Sequence, residues 1–184
     1  MKKIANYETA QPYTDAMKLP PNGYVIGILG AEEMNDNLGV YLHLTFDICE
    51  GEQKNFYTTQ YKSLQSEDKK FKGVYKLRIP TEDGSEQDGW TLRRFKTVMC
   101  AIEDSNPGYH WDWNEKALAG KVVGAIFYEK EYDFNGKTGF YTTLHSFKSA
   151  DKIRSGDFKV PPPKLLQEKP TEFTPIIDEA DLPF

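Results

Sequence analysis

Leu38-Gly-Val-Tyr-Leu-His-Leu-Thr-Phe-Asp-Ile48 is the stretch whose reading decides the fold. Its residues alternate without a break: Leu38, Val40, Leu42, Leu44, Phe46 and Ile48 on one face, Gly39, Tyr41, His43, Thr45 and Asp47 on the other. Period-two alternation of this length predicts an antiparallel strand with one face on a core and an amphipathic outer face. A strand with a single buried face needs a sheet around it, and the flanking sequence supplies candidates.

Before it, Leu19-Pro-Pro-Asn-Gly23 is a loop signature that closes a polar extension over residues 1–22, and Tyr24-Val-Ile-Gly-Ile-Leu29 predicts a first strand. After it, Asn55-Phe-Tyr-Thr58 is read as continuing the sheet beyond a turn at Glu50-Gly51. Lys72 to Pro80 alternates again, Gly73, Tyr75, Leu77 and Ile79 against Lys72, Val74, Lys76 and Arg78. From Trp90 to Ile102 the period lengthens, and Leu92, Phe95, Val98, Met99 and Ile102 form a helical stripe that Asn106-Pro-Gly108 ends. Gly120–Tyr132 and Thr138–Phe147 read as strands about Asn135-Gly136, a strong hairpin signal. Ala150–Phe158 is a short polar segment, and Val160-Pro-Pro-Pro-Lys164 leads into a tail with extended geometry.

The predicted order is therefore three strands, a helix and two strands. It matches the OB-fold, a five-stranded Greek-key barrel with its helix between the third and fourth strands. The expected organisation is an N-terminal extension (1–22), an OB-like mainly β domain (23–160), and a proline-rich linker with an acidic tail (161–184).

The formal charge of -5 is unevenly spread. Residues 165–184 hold five acids against Lys169, a net of -4, so the body carries only -1 and has cations enough for a local basic face. Isolated Cys49 and Cys100 in apolar runs read as buried free thiols of a reducing cytoplasm. Met1-Lys-Lys-Ile is followed by polar residues, which predicts no signal peptide, and no apolar run approaches membrane-spanning length.

Catalytic and cofactor signatures are lacking. His43, His110 and His145 have no partner at metal-ligand spacing, and Gly27-Ile-Leu-Gly30 is a glycine-bearing strand rather than a phosphate loop. Glu32-Glu33 is expected in a solvated loop, and His110-Trp-Asp-Trp113 in a packed one. No metal, no cofactor and no enzymatic activity is expected.

The needs of a single-stranded nucleic-acid site are met more readily: cations along a groove for phosphates, and aromatic faces for bases. Tyr41 and His43 stand on the outer face of the second strand. Lys72, Lys76 and Arg78 form a basic row at period two, and Tyr132, Phe134 and Lys137 surround the hairpin turn.

The chain ends Asp178-Glu-Ala-Asp-Leu-Pro-Phe184. Acids ahead of an apolar tripeptide and a terminal carboxylate suit a docking peptide for a basic-rimmed apolar pocket. This ending resembles the C-terminal tip of bacterial single-stranded DNA-binding proteins, with Leu182 where Ile is usual and Ala180 interrupting the acids. The resemblance implies that Asp178, Glu179, Asp181, Leu182, Pro183 and Phe184 recruit replication or repair proteins. The body loosely resembles small proteins of phage and prophage replication modules. Two functions follow as expectations. One is a single-stranded DNA-binding protein of such a replication or recombination module, with oligomeric state open, homo-oligomers included. The other is a protein-only adaptor that mimics the host tail.

Overall fold

The computed structural model describes residues 17–166. They form a mainly β domain on one five-stranded antiparallel sheet: β1 (Gly23–Asp36), β2 (Gly39–Ile48), β3 (Val74–Arg78), β4 (Val122–Phe134) and β5 (Lys137–Lys148), in the order β3-β2-β1-β4-β5. The 20-residue helix α2 (Glu86–Ser105) lies between β3 and β4, as the change of period predicts. Two shorter helices, α1 (Phe56–Ser63) and α3 (Ala150–Arg154), complete the set.

The core face of β2 is realised from Leu42 onward, but Leu38, read on that face, stands in the β1–β2 turn and is 77% exposed, and Tyr41 and Asp47 of the outer face are buried. Leu42, Leu44 and Phe46 enter the main core with Ile26, Ile28, Leu77, Val123 and Phe127, and α2 closes that core with Phe95, Val98, Met99 and Ile102. Trp111 packs against it, whereas Trp113 lies parallel to the Phe95 ring and is 72% exposed, so the His110–Trp113 loop is anchored at Trp111 rather than packed throughout as read. Tyr75 of β3 meets Phe147 of β5 edge-on at 5.1 Å, and this contact draws the two outer strands of the sheet towards each other. A smaller cluster of Val25, Ile126, Ala150 and Ile153 covers the opposite face at the β1–β4 end.

Three further expectations are corrected. Asn55-Phe-Tyr-Thr58 is not strand but the start of α1. Its aromatics favour a strand locally, but Asp47 overrides them: one carboxylate oxygen accepts from Ile48 N (2.8 Å) and Tyr57 N (2.9 Å), the other from Thr58 N (2.8 Å). The first-turn N–H groups that a helix leaves unpaired are thus satisfied by a residue ten positions earlier. Glu32 and Glu33 lie within β1 rather than a loop, because β1 stays paired with β2 to the end, Asp36 opposite Gly39. Cys100 is exposed on α2 rather than buried; Cys49 is half-buried, and burial, chiefly, pushes its thiol pKa up.

Two backbone positions depend on glycine. A Cβ at Gly73 would stand 2.1 Å from the carbonyl oxygen of Phe46, where the chain enters β3. At the β4–β5 turn Asn135 and Gly136 both take positive φ, 52° and 77°, the requirement of a tight two-residue hairpin. Beyond Ile126, β4 loses β1 as neighbour. There Lys164 takes over as a parallel bridge, its N–H donating to Glu129 O and its carbonyl accepting from Glu131 N, both at 2.9 Å.

Asp47→Ala should destabilise the domain by about 1–3 kcal/mol, since it leaves buried N–H groups without an acceptor. Urea unfolding of the variant measures this directly; a midpoint equal to wild type would mean that α1 is capped by other groups.

Candidate nucleic-acid interface

Register and pleat sort the long β4–β5 hairpin into two unlike faces. Tyr132 pairs with Gly139 and Phe134 with Lys137, so one face carries Tyr128, Lys130, Tyr132, Phe134, Lys137 and Tyr141. The other carries Glu129, Glu131, Asp133, Phe140 and Thr142. Cations are thus segregated from carboxylates by period two alone, and of the hairpin aromatics only Phe140 falls on the acidic face. The Tyr132 ring lies over Gly139, where a Cβ would come within 2.7 Å of its hydroxyl, and stands 6.4 Å from the Tyr141 ring. Phe134 is 71% exposed. Three aromatic rings with open faces and two lysines therefore share one side of a rigid ladder.

Beside the hairpin is a cleft of about 600 Å³. Its walls are the free edge of β5 (Phe140 to Leu144) with Tyr132, the start of β3 with Lys72 and Val74, and α1 with Phe56, Tyr57 and Gln60. Lys18 also lines it but is engaged by Glu129 at 2.6 Å. Lys72 is exposed and, among the described residues, has no carboxylate partner. The structure thus brings Lys72 and Tyr132 to one cleft, with Phe134 and Lys137 at the hairpin tip beyond it.

The other predicted residues gather separately, and two differ from expectation. Lys72 precedes β3, so the basic row on that strand is only Lys76 and Arg78, opposite His43 and Tyr41. Tyr41 is on the predicted face but is 5% exposed, because the Lys76 ammonium (4.5 Å) and the Arg78 guanidinium (5.1 Å) lie over its ring. Those cations are in turn held by Asp36, bonded bidentately to Arg78 (2.7 and 3.0 Å) and to Lys76 (3.0 Å). The outer face of β2 and β3 is therefore a cluster in which one carboxylate holds two cations over Tyr41, with one positive charge in excess. His43 sits edge-on to Tyr41 with its Nδ1 buried and unpartnered. The bonds from Arg78 and then Lys76 hold the Asp36 carboxyl well below its ordinary pKa of 3.8.

Sequence reasoning missed Tyr141, its cross-strand partner Lys130, and Asp36; of these, Tyr141 and Asp36 show the two kinds of omission. The first shares parity with Lys137 and Gly139 and was legible from alternation. The second was hidden, since its partners are some forty residues away. The tail residues Asp178, Glu179, Asp181, Leu182, Pro183 and Phe184 lie outside the described residues.

The Asp36 cluster has a defined pH response. Its carboxyl pKa is depressed in the folded state, so its contribution is complete above the ordinary carboxylate pKa. It is lost only as pH falls through the lower folded value. An NMR titration should find Asp36 still ionised at pH 3, and Arg78→Ala should return its midpoint towards 3.8. An ordinary midpoint in wild type would mean the cluster does not persist in solution.

No protein-family model matches the chain and no curated protein matches it, so any function must be read from the hairpin face, the cleft and the residues that build them.

Proposed function

We propose that the protein binds single-stranded DNA through the hairpin face and the adjoining cleft, and recruits replication or repair proteins through its C-terminal tip. The observation that carries this reading is the segregation of Tyr132, Phe134 and Tyr141 with Lys130 and Lys137 on one side of the β4–β5 ladder, next to Lys72. Open aromatic faces interleaved with unneutralised cations suit bases and phosphates together, whereas a protein-docking face is normally depleted of lysine. We read the domain as an OB-fold: the strand order β3-β2-β1-β4-β5, the helix between the third and fourth strands, and the approach of β3 to β5 at Tyr75 and Phe147 all suit a partly open barrel. In OB-folds the loop between the last two strands is a common contact element. On this reading Tyr41, His43, Lys76 and Arg78 stiffen the sheet behind the contact surface rather than stack with bases.

The tail completes the proposal from its sequence. Asp178, Glu179 and Asp181 would pair with a basic rim, while Leu182, Pro183 and Phe184 fill an apolar pocket on the partner. With the resemblance of the tip, this supports a role in a phage or mobile-element replication or recombination module. A protein-only adaptor would use the same tip without needing the hairpin cations.

Fluorescent oligo-dT separates the two. Tyr132→Ala and Phe134→Ala should each weaken binding by about 1–3 kcal/mol, the range of one base stack. Lys72→Ala should lower the slope of log affinity against log salt by roughly 0.7. Failure of the wild-type chain to bind at low salt would leave the adaptor reading.

Deleting Phe184 should leave oligo-dT affinity and thermal stability unchanged while weakening partner capture roughly tenfold or more, the worth of one buried Phe side chain at about 1.5–3 kcal/mol. The measurement is competition between the chain and a host single-stranded DNA-binding protein's tail for a shared partner. Equal competition by the deleted chain would remove the tip from the proposal.

A further inference from the structure

The cations of the body are not all alike. Lys76 and Arg78 are both held by the one carboxylate of Asp36, Lys18 by Glu129, and Arg154 by Glu50 and Asp151. Lys96, Lys148 and Lys152 are exposed and have no carboxylate partner among the described residues, yet they come from three elements, α2, β5 and α3. They converge on a groove of about 300 Å³ between α2 and the β5–α3 junction. Its floor is Phe147 and Ala101, its walls add the hydroxyls of Thr97 and Ser149, and a single acid, Asp104, lies at its rim.

This groove is continuous with the surface already described. Phe147 is at once its floor and the ring that meets Tyr75, and the Tyr75 hydroxyl accepts from Arg94 of α2. Next to that junction His145 has its pKa lowered, first by burial and then by the positive charges of Arg94 and Lys130, the latter on the hairpin face. The charges of Lys130 on the hairpin and of Arg94 beside Tyr75 thus both reach His145, three residues before Lys148 of the groove. The α2 surface facing solvent adds Arg93, whose guanidinium lies over the exposed Trp90 ring at 5.4 Å.

We propose that the groove between α2 and α3 is a second phosphate-binding segment, in which Lys96, Lys148 and Lys152 take the backbone of the single strand whose bases stack on the hairpin. It rests on the single-stranded DNA reading above and extends it: the strand turns around the β3–β5 junction, and short and long strands use different parts of the protein. With three lysines and one acid the groove is too cationic for an apolar peptide, and its hydroxyls and ammonium groups are the donors that phosphate oxygens need. Aromatic lining is confined to its floor, so it contributes electrostatic affinity without base preference.

Cys100 lines the same groove and is exposed, whereas the Cys49 thiol is half-buried and engaged with the Val25 carbonyl at 3.4 Å. The rate of Cys100 alkylation therefore reports occupancy in the unmodified full chain. The probes are two oligo-dT strands, one shorter and one longer than the roughly 4–16 nucleotides that one OB-type site spans. The longer strand should slow Cys100 alkylation and the shorter should not. The triple variant Lys96→Gln, Lys148→Gln, Lys152→Gln should reduce the salt slope for the longer strand by about 2, at roughly 0.7 for each of three contacts, and leave the shorter strand's affinity unchanged. Equal loss for both strands, or alkylation indifferent to the longer strand, overturns the second segment while leaving the hairpin site standing. Protection of Cys100 without oligonucleotide, relieved by deleting residues 167–184, would make the acidic tail the occupant and also overturn it. Absence of binding by either strand rejects the hairpin reading itself, and the groove with it.

Discussion

One buried carboxylate organises this domain. Asp47 stands at the end of the strand that decides the fold, and its two oxygens hold Ile48, Tyr57 and Thr58 by their backbone N–H groups. Without it the chain leaving β2 has no reason to begin a helix at Phe56, and without α1 the cleft beside the hairpin has no wall of Phe56, Tyr57 and Gln60. Burying a charge is costly unless its lone pairs are occupied. Here they are occupied by donors that would otherwise be unpaired themselves, so one side chain solves both problems. The core follows: Tyr57 can then set its ring edge-on to Phe46 at 5.5 Å, and Phe46 in turn meets Phe127 of β4.

Charge is distributed over the surface by pairing as much as by composition. With a net body charge of -1, the domain has no basic excess from which an interface could be inferred. Yet its carboxylates are spent unequally. Asp36 fixes two cations over Tyr41, and Glu50 and Asp151 fix Arg154, while Lys72 and the lysines of the hairpin and of α2 face solvent without a partner among the described residues. Strong local potentials can thus coexist with a pI near 5.3.

How much of this was legible depended on the range of the interaction concerned. The alternation of β2 and β3, the stripe of α2 and the Asn135-Gly136 turn are local patterns, and the structure realises them except at their ends, where Leu38 and Leu92 are exposed. Lys137, Tyr132 and Phe134 were legible as a cluster because a two-residue turn brings them together by itself. Cys100 was misread locally, since it lies off the helical stripe, but the other errors are long-range. Asn55–Thr58 has strand-like composition and becomes helix through Asp47. Tyr41 occupies an outward position and is roofed by residues of β3. Glu32 and Glu33 sit in a polar stretch that only its pairing with β2 makes a strand. The cleft joins residues 72–74 to residues 140–144, and no spacing along the chain announces such a meeting.

The three consecutive prolines at 161–163 have a consequence at the sheet's margin. None of them can donate a backbone N–H, so Lys164 is the first residue of that run able to bridge to β4, and it does so in the stretch that β1 has vacated. An open strand margin invites a neighbouring molecule to pair with it. Here the chain's own departing segment occupies the place a neighbour would take, with a lysine at the point of contact. The backbone of the chain itself thereby covers that part of the β4 margin, which a strand from a second copy could otherwise pair with.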